Sequence, residues 1–311
     1  MIIKGINPVP EAKLRLYKEY NMTPDSVADD VQAIKDWINK QPHLPNFEKA
    51  VVDSDKWIEN VLLMVKNSMA KAKNVIDMYF SLRTLHPTLF QGRDPTLPAM
   101  KRSFEDVHIV ILPGLTKEGS RVMLMRINNP DPDDYDLEAH MKRALMLMEI
   151  YLRDGVDFTG LQVVHDFKNF KLGHLTHFNL QLLKMMSTGM KGYQFRLPKT
   201  IMMNAPSHID TLMTVCRPFI NAKVMARVKI IKDQTKLVDE MPPEMVPVEY
   251  GGTAPSVEEL NNQWRDILIK NRPYLAAVDS LRTNESLRLE KKFIQTEFGG
   301  EKQSFRRLAV D

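Results

Sequence analysis

His174 and His177, three apart in "LGHLTHF", would share a helical face and offer two metal ligands, but no third ligand stands near them and such a pair is no zinc signature. The run "NPDPDDYD" resembles a calcium loop in its acids. An EF-hand needs glycine where Asp136 stands and a bidentate glutamate where Lys142 stands, so the run reads as an exposed loop ending in a helix cap. "GLTKEGS" has the glycine spacing of a phosphate-binding loop, yet it lacks the lysine that reaches the phosphates and joins two strands, which makes it a turn. The one cysteine, Cys216, excludes an internal disulfide, fits a reducing compartment and reads as core packing. With no G-x-S-x-G and no H-E-x-x-H, the chain shows no catalytic centre, metal site or cofactor site.

The chemistry that does stand out is charge. Residues 168 to 232 hold eleven Lys and Arg against one acid, Asp210, so this window is +10 in a chain of net charge +4 and the remainder is −6. Within it, "RPFINAKVMARVKIIK", residues 217–232, carries five cations among mostly apolar positions. Such a stretch suits an anionic partner: nucleic acid, an anionic membrane or a phosphorylated ligand. Phe167, Phe170 and Phe178 would allow base stacking, but no nucleic-acid-binding signature accompanies them and no nucleic-acid partner is expected. Lys223 and Arg227, four apart beside Val224, Ala226 and Val228, place cations and apolar groups together, as a lipid interface requires.

The elements that must carry these residues follow from periodicity. With 311 residues, 43% apolar, the chain has the composition of one large or two modest globular domains. Its opening lacks a signal-peptide-like stretch, and its longest apolar runs fall far short of the roughly 20 residues that span a bilayer, so a soluble, cytoplasmic protein is expected. Residues 1 to about 100 read as helical. "SVADDVQAIKDWINKQ" sets Val27, Val31, Ile34 and Ile38 on one stripe with Ser26 as a candidate N-cap, and "DKWIENVLLMVKNSMAKAKNVIDMYFSLRTL" is a long stretch without Pro or Gly. Two strands then flank "GLTKEGS", followed by an amphipathic helix with Met141, Ala144, Leu145, Met148 and Leu152 on one side. Strand "GLQVVHDF", helix "LTHFNLQLLKMMST", strand "RLPKTIMMN" and helix "PSHIDTLMTVC" complete an α/β layer. The last helix has a Ser207-to-Asp210 cap and a stripe of Ile209, Leu212, Met213 and Cys216 ending at Pro218.

Taken together, "LPKTIMMNAPSHIDTLMTVCRPFINAKVMARV", "MVPVEYGG", "GLQVVHDFKNF" and "IDMYFSLRTLHPTLF" resemble the CRAL-TRIO family, the family of cellular retinaldehyde-binding protein and the tocopherol transfer protein. The resemblance covers most of residues 25 to 270, with Asn169 where the family usually has Gly and Val246 where it has Leu. It implies a helical N-terminal domain (1–100), then an α/β CRAL-TRIO lipid-binding domain (101–270) whose mixed β-sheet floors an apolar cavity closed by a helical gate, Ile209 through Phe219, and a polar C-terminal tail (271–311).

The implied function is non-enzymatic binding and intermembrane transfer of a small hydrophobic ligand, such as a tocopherol-, retinoid-, carotenoid- or other isoprenoid-like lipid, by a cytoplasmic protein that docks transiently on phosphoinositide-containing membranes. A phosphoinositide- or phospholipid-binding regulatory module is the alternative. Alternation and the resemblance together give the cavity wall as Phe195, Leu197 and Ile201 from one strand and Leu161, Val163 and His165 from another, with Met148, Leu152, Ile209, Leu212, Met213 and Cys216 from helices. His165, where the family often has an apolar residue, is either a core histidine or a hydrogen-bond partner for a ligand oxygen. Arg196, Lys223 and Arg227 match the phosphoinositide-binding motif of the tocopherol-transfer branch; a further family cation aligns with Pro198, and Lys199 beside it points to the opposite face of a regular strand.

Overall fold

The computed structural model describes residues 9–46 and 54–289. Helices α1 (Pro10–Glu19), α2 (Pro24–Asn39), α3 (Ser54–Met64) and α4 (Met69–Leu85), a single turn α5 (Pro87–Phe90) and α6 (Pro98–Asp106) come first. In α2 the expected stripe is buried, but the helix begins at Pro24, not at Ser26. Thr23 is the N-cap: its hydroxyl accepts from the Ser26 amide at 3.2 Å while the Ser26 hydroxyl accepts from the Thr23 amide at 2.9 Å. The long stretch that lacks Pro and Gly breaks between α3 and α4. Lys66 and Asn67 both take left-handed backbone, at φ 56° and 57°, and the Asn67 amide reaches back to the Leu62 carbonyl at 2.8 Å.

The second half is a mixed five-stranded sheet in the order β1 (Val107–Ile111), β2 (Arg121–Ile127), β3 (Leu161–Asp166), β4 (Thr200–Met203), β5 (Val228–Ile231). Strands β1 and β2 pair antiparallel across the "GLTKEGS" turn, and the remaining pairs are parallel. Helix α7 (Leu137–Asp154) crosses from β2 to β3, α8 (Leu180–Gly189) from β3 to β4, and α9 (Ile209–Cys216) with the short α10 (Ala222–Met225) from β4 to β5. The helix expected from residue 175 starts only at Leu180, where Asn179 caps it by accepting from the Leu182 amide at 2.7 Å; the 3-10 segment Leu172–His177 precedes it. Helix α9 begins at Ile209 with no side-chain cap, so Ser207 does not play the capping part its spacing suggested.

Helices α11 (Val257–Lys270) and α12 (Arg272–Ser280) follow. Residue 271 onward therefore does not begin as a free polar tail. Beyond α12 the chain runs back over α4: Arg288, buried, donates to both oxygens of Asp77 at 2.8 Å, and the Thr283 amide donates to Thr84 at 3.0 Å. The remainder of the expected tail, residues 290–311, lies outside the described residues.

Two buried polar contacts tie the helical half to the sheet half. Asn60 of α3 donates to the Leu152 carbonyl at 2.9 Å and accepts from the Val156 amide at 3.0 Å. Glu149 of α7, fully buried, accepts from Tyr79 and Tyr193 at 2.6 Å each, from Arg93 at 3.0 Å and from Arg83. Despite burial, the two guanidiniums hold its carboxyl below the usual glutamate range.

Candidate functional site

The sheet register sorts the candidate residues by face. Leu161, Val163 and His165 share a face with Met123 and Met125 of β2 and with Thr200 and Met202 of β4; the alternate residues Val164 and Asp166 share the other with Ile201 and Met203. The Arg121 guanidinium, on the His165 face, lies 5.4 Å from the Tyr151 ring, so α7 covers that face at its β2 end. Toward β5 the cover thins. Ile230, paired with Met202, is 54% exposed, and Val163 and His165 are only half-buried although they occupy the middle strand.

His165 is chemically unusual there. Its ring stacks on Phe167 at 5.9 Å, and it makes no hydrogen bond to any described residue. Burial pushes its pKa down to about 4, so the imidazole is neutral near pH 7 and offers one donor and one acceptor. A ligand hydroxyl or carbonyl would satisfy a polar group that the protein leaves unpaired.

The expected wall divides. Phe195, Leu197, Met213 and Cys216 are half-buried and pack against the core, Val163 of β3 is half-buried as well, and Ile209 and Leu212 are the buried positions of α9. Met148 and Leu161 are 4% and 2% exposed, and Leu152 and Ile201 expose no surface at all, so neither of the last two borders open space. Ile201 is a correction in phase as well. The Leu161 amide bonds to the Arg196 carbonyl at 2.8 Å and the Val163 amide to the Lys199 carbonyl at 3.1 Å, so three residues on one side span two on the other. This bulge around Pro198 reverses the alternation, and β4 starts only at Thr200. Gly160 makes the bulge possible, because a Cβ there would lie 2.9 Å from both the Arg196 carbonyl and the Pro198 ring.

Of the three candidate cations, Arg196, Lys223 and Arg227 are all exposed, and none has an acidic partner among the described residues. Arg227 lies in the turn after the four-residue α10, so it does not share a helical face with Lys223; instead its guanidinium donates to the Leu197 carbonyl at 2.9 Å, next to Arg196. Lys199 and Lys229 both pair with Glu240. Among the described residues no group of three His, Cys, Asp or Glu is placed to hold a metal, and no helix is long and apolar enough to cross a membrane.

Two clefts are present among the described residues, and neither is lined by Val163 or His165. One of about 690 Å³ sits between the starts of α7 and α8 and is lined by Arg102, Asp133, Asp134, Asp136, Glu138 and His177 among others, which is the wrong chemistry for a hydrophobic ligand. A crevice of about 10 Å³ between Tyr20 and Gly160 has Phe195 and Arg196 on its rim. Sequence reading missed Met125, Thr200 and Met202 on the His165 face, because only the strand register reveals them.

Comparison with known proteins agrees with this architecture. Residues 105–252 match the model of the CRAL/TRIO domain, and residues 23–100 match that of the Pinta-like UBA domain. Clavesin-1 of Xenopus laevis is 24% identical over 254 residues, covering 81% of this chain and 75% of its own length. Clavesin-2 of Homo sapiens is likewise 24% identical over 254 residues, covering 81% of this chain and 76% of its own. The crystal structure of Sfh5 overlays at 12% identity with a TM-score of 0.43, covering 84% of this chain and 97% of that chain, and nothing further rests on it. With its mixed sheet behind a UBA-like helical region, the chain carries a CRAL/TRIO domain over residues 105–252.

Proposed function

We propose that this member of a lipid-binding family holds a small hydrophobic molecule, of the tocopherol, retinoid, carotenoid or other isoprenoid type, against the His165 face of the sheet and hands it over at an anionic membrane without reacting with it. The observation that carries the reading is the half-buried Val163–His165 pair in the middle strand, with methionines at 123, 125 and 202 on the same face and an imidazole that makes no hydrogen bond to any described residue. Methionine gives such a wall adaptability, and a single polar group fixes one end of the ligand. Solvent extraction of the purified protein followed by mass spectrometry tests it: a stoichiometric isoprenoid-like lipid supports the reading, and phospholipid alone contradicts it.

The docking half of the proposal rests on Arg196, Lys223 and Arg227, exposed and without acidic partners among the described residues, in a window of charge +10. Binding to phosphoinositide vesicles should weaken as salt rises and should be lost in the double variant Lys223→Glu, Arg227→Glu, with thermal stability unchanged. Equal flotation of the variant and the parent chain would remove these residues from the docking surface. A second reading, a phosphoinositide- or phospholipid-binding regulatory module, is favoured by the closed packing of Leu152 and Ile201, which leaves less wall for a ligand. The extract separates the two readings.

A further inference from the structure

Five of the eight histidines belong to one network of rings. Tyr135, just before α7, has His140 at 4.8 Å, His174 at 5.1 Å, His177 at 5.8 Å and Phe178 at 6.1 Å. His174 stacks on Phe170 at 5.2 Å, and Phe170 stacks on His208, the residue before α9, at 5.8 Å. Phe170 also meets Phe167 at 5.5 Å, which carries the contact to His165 in the sheet. The network thus joins the start of α7, the Leu172–His177 segment, the start of α9 and the candidate ligand face.

Its polar atoms are conspicuously unmade. Both ring nitrogens of His140, Nε2 of His174 and Nε2 of His208 are buried without a hydrogen-bond partner, and His140 and His174 are 3% and 0% exposed. Only Nδ1 of His174 is used, accepting from the Lys171 amide at 3.0 Å. Neutral imidazoles tolerate such a site because an aromatic wall replaces water; imidazolium ions do not, since a ring face attracts a cation less than desolvation opposes it.

We propose that this ring network is an acid-released latch, in which proton uptake by His140 and His174 frees the Leu172–His177 segment and the first turn of α9 from the sheet and uncovers the His165 face. The surrounding charges fit that direction. Beyond burial, Arg143 and His174 oppose protonation of His140, while at His174 the hydrogen bond to the Lys171 backbone and Asp131 favour it and the His177 and Lys171 side chains oppose it. Cys216 and Asp136 bear on Tyr135, Asp210 lies on the exposed side of α9, and the cleft that Tyr135 and His177 line carries Asp133, Asp134, Asp136 and Glu138, with Lys142 paired to Glu138. Protonated rings that leave the network therefore move toward carboxylates. Burial lowers the pKa of His140 and of His174, as a closed neutral state requires.

The latch regulates the site proposed above and in that sense rests on it, but its test reads backbone exchange, so the two can fail separately. Hydrogen–deuterium exchange of the full chain, corrected for the intrinsic pH dependence, is compared at about pH 7.5 and about pH 5.5. Exchange at residues 170–178 and 206–216 should rise by about tenfold or more, because each proton bound only by the open form contributes up to about tenfold per pH unit. Helices α2 and α4 should not change. The double variant His140→Phe, His174→Phe, which keeps the rings and removes two titrating groups, should lose most of the rise; His140→Phe alone should lose part. An equal rise in the variants, no rise in the parent chain, or a rise spread evenly over α2 and α4 would each overturn the latch.

Discussion

Around Glu149 four donors from α4, the segment after α5 and the segment before β4 converge on one buried carboxylate, whereas in the ring network of Tyr135 and Phe170 four buried imidazole nitrogens find no hydrogen-bond partner among the described residues. Both clusters are polar, both have buried members, and both touch α7. The first is held by paired charges that no other arrangement satisfies, so it fixes the helical half against the CRAL/TRIO domain. The second is kept only by neutrality and packing, so a change of protonation state is enough to undo it. Burial of polar groups therefore rigidifies one end of α7 and sensitises the other, depending on whether the hydrogen bonds are made.

Breaking the satisfied cluster should give the largest effect. Glu149→Ala leaves Arg83 and Arg93 buried with Asp279 as the remaining acid, and should cost about 3–5 kcal/mol in urea unfolding. A loss under about 1 kcal/mol would mean that the guanidiniums find water, and the comparison would fail.

Acid should act on the other cluster first. A histidine with a depressed native pKa binds fewer protons folded than unfolded, so its contribution is complete above the unfolded value of 6.5 and is lost as pH falls below it. For His165, whose native value is about 4, the loss by about pH 5 approaches about 2 kcal/mol. Glu149, with its pKa below 4.5, contributes stability that is present above 4.5 and disappears only in stronger acid. Two-stage loss in a pH series of unfolding midpoints is the expected outcome. A single stage beginning below pH 4.5 would place the histidines in solvent.

The smallest effect on stability belongs to His165. His165→Phe removes a polar group that makes no hydrogen bond to any described residue and fills similar volume, so the unfolding free energy should stay within about 1 kcal/mol of the parent chain or rise. A loss of several kcal/mol would show that the imidazole holds the sheet together, and the ligand role would lose its basis.

Much of this was legible in the chain. The helix stripes of α2, α7 and α9, the hairpin around "GLTKEGS" and the strand "GLQVVHDF" follow from period and turn chemistry, and the motifs at 160–170, 197–228 and 245–252 carry the family. What failed did so locally. A bulge costs one residue of phase and nothing in composition, so Ile201 read as a cavity residue when its strand had already turned over. Lys66 and Asn67 ended a helix in left-handed backbone without a glycine to announce it. The ring network was hidden because its members come from residues 135, 140, 165–178 and 208, and only the fold brings them together.

The central claim is that His165 presents its unpaired nitrogen to a hydrophobic ligand that carries one oxygen. Titrating an isoprenoid alcohol and its hydrocarbon analogue against the parent chain and His165→Phe tests it most directly. The account predicts that the alcohol weakens by roughly 1–3 kcal/mol in the variant, the usual cost of one unpaired buried polar group, while the hydrocarbon binds equally well or better. An equal change for both ligands, or no binding of either to the parent chain, would contradict it.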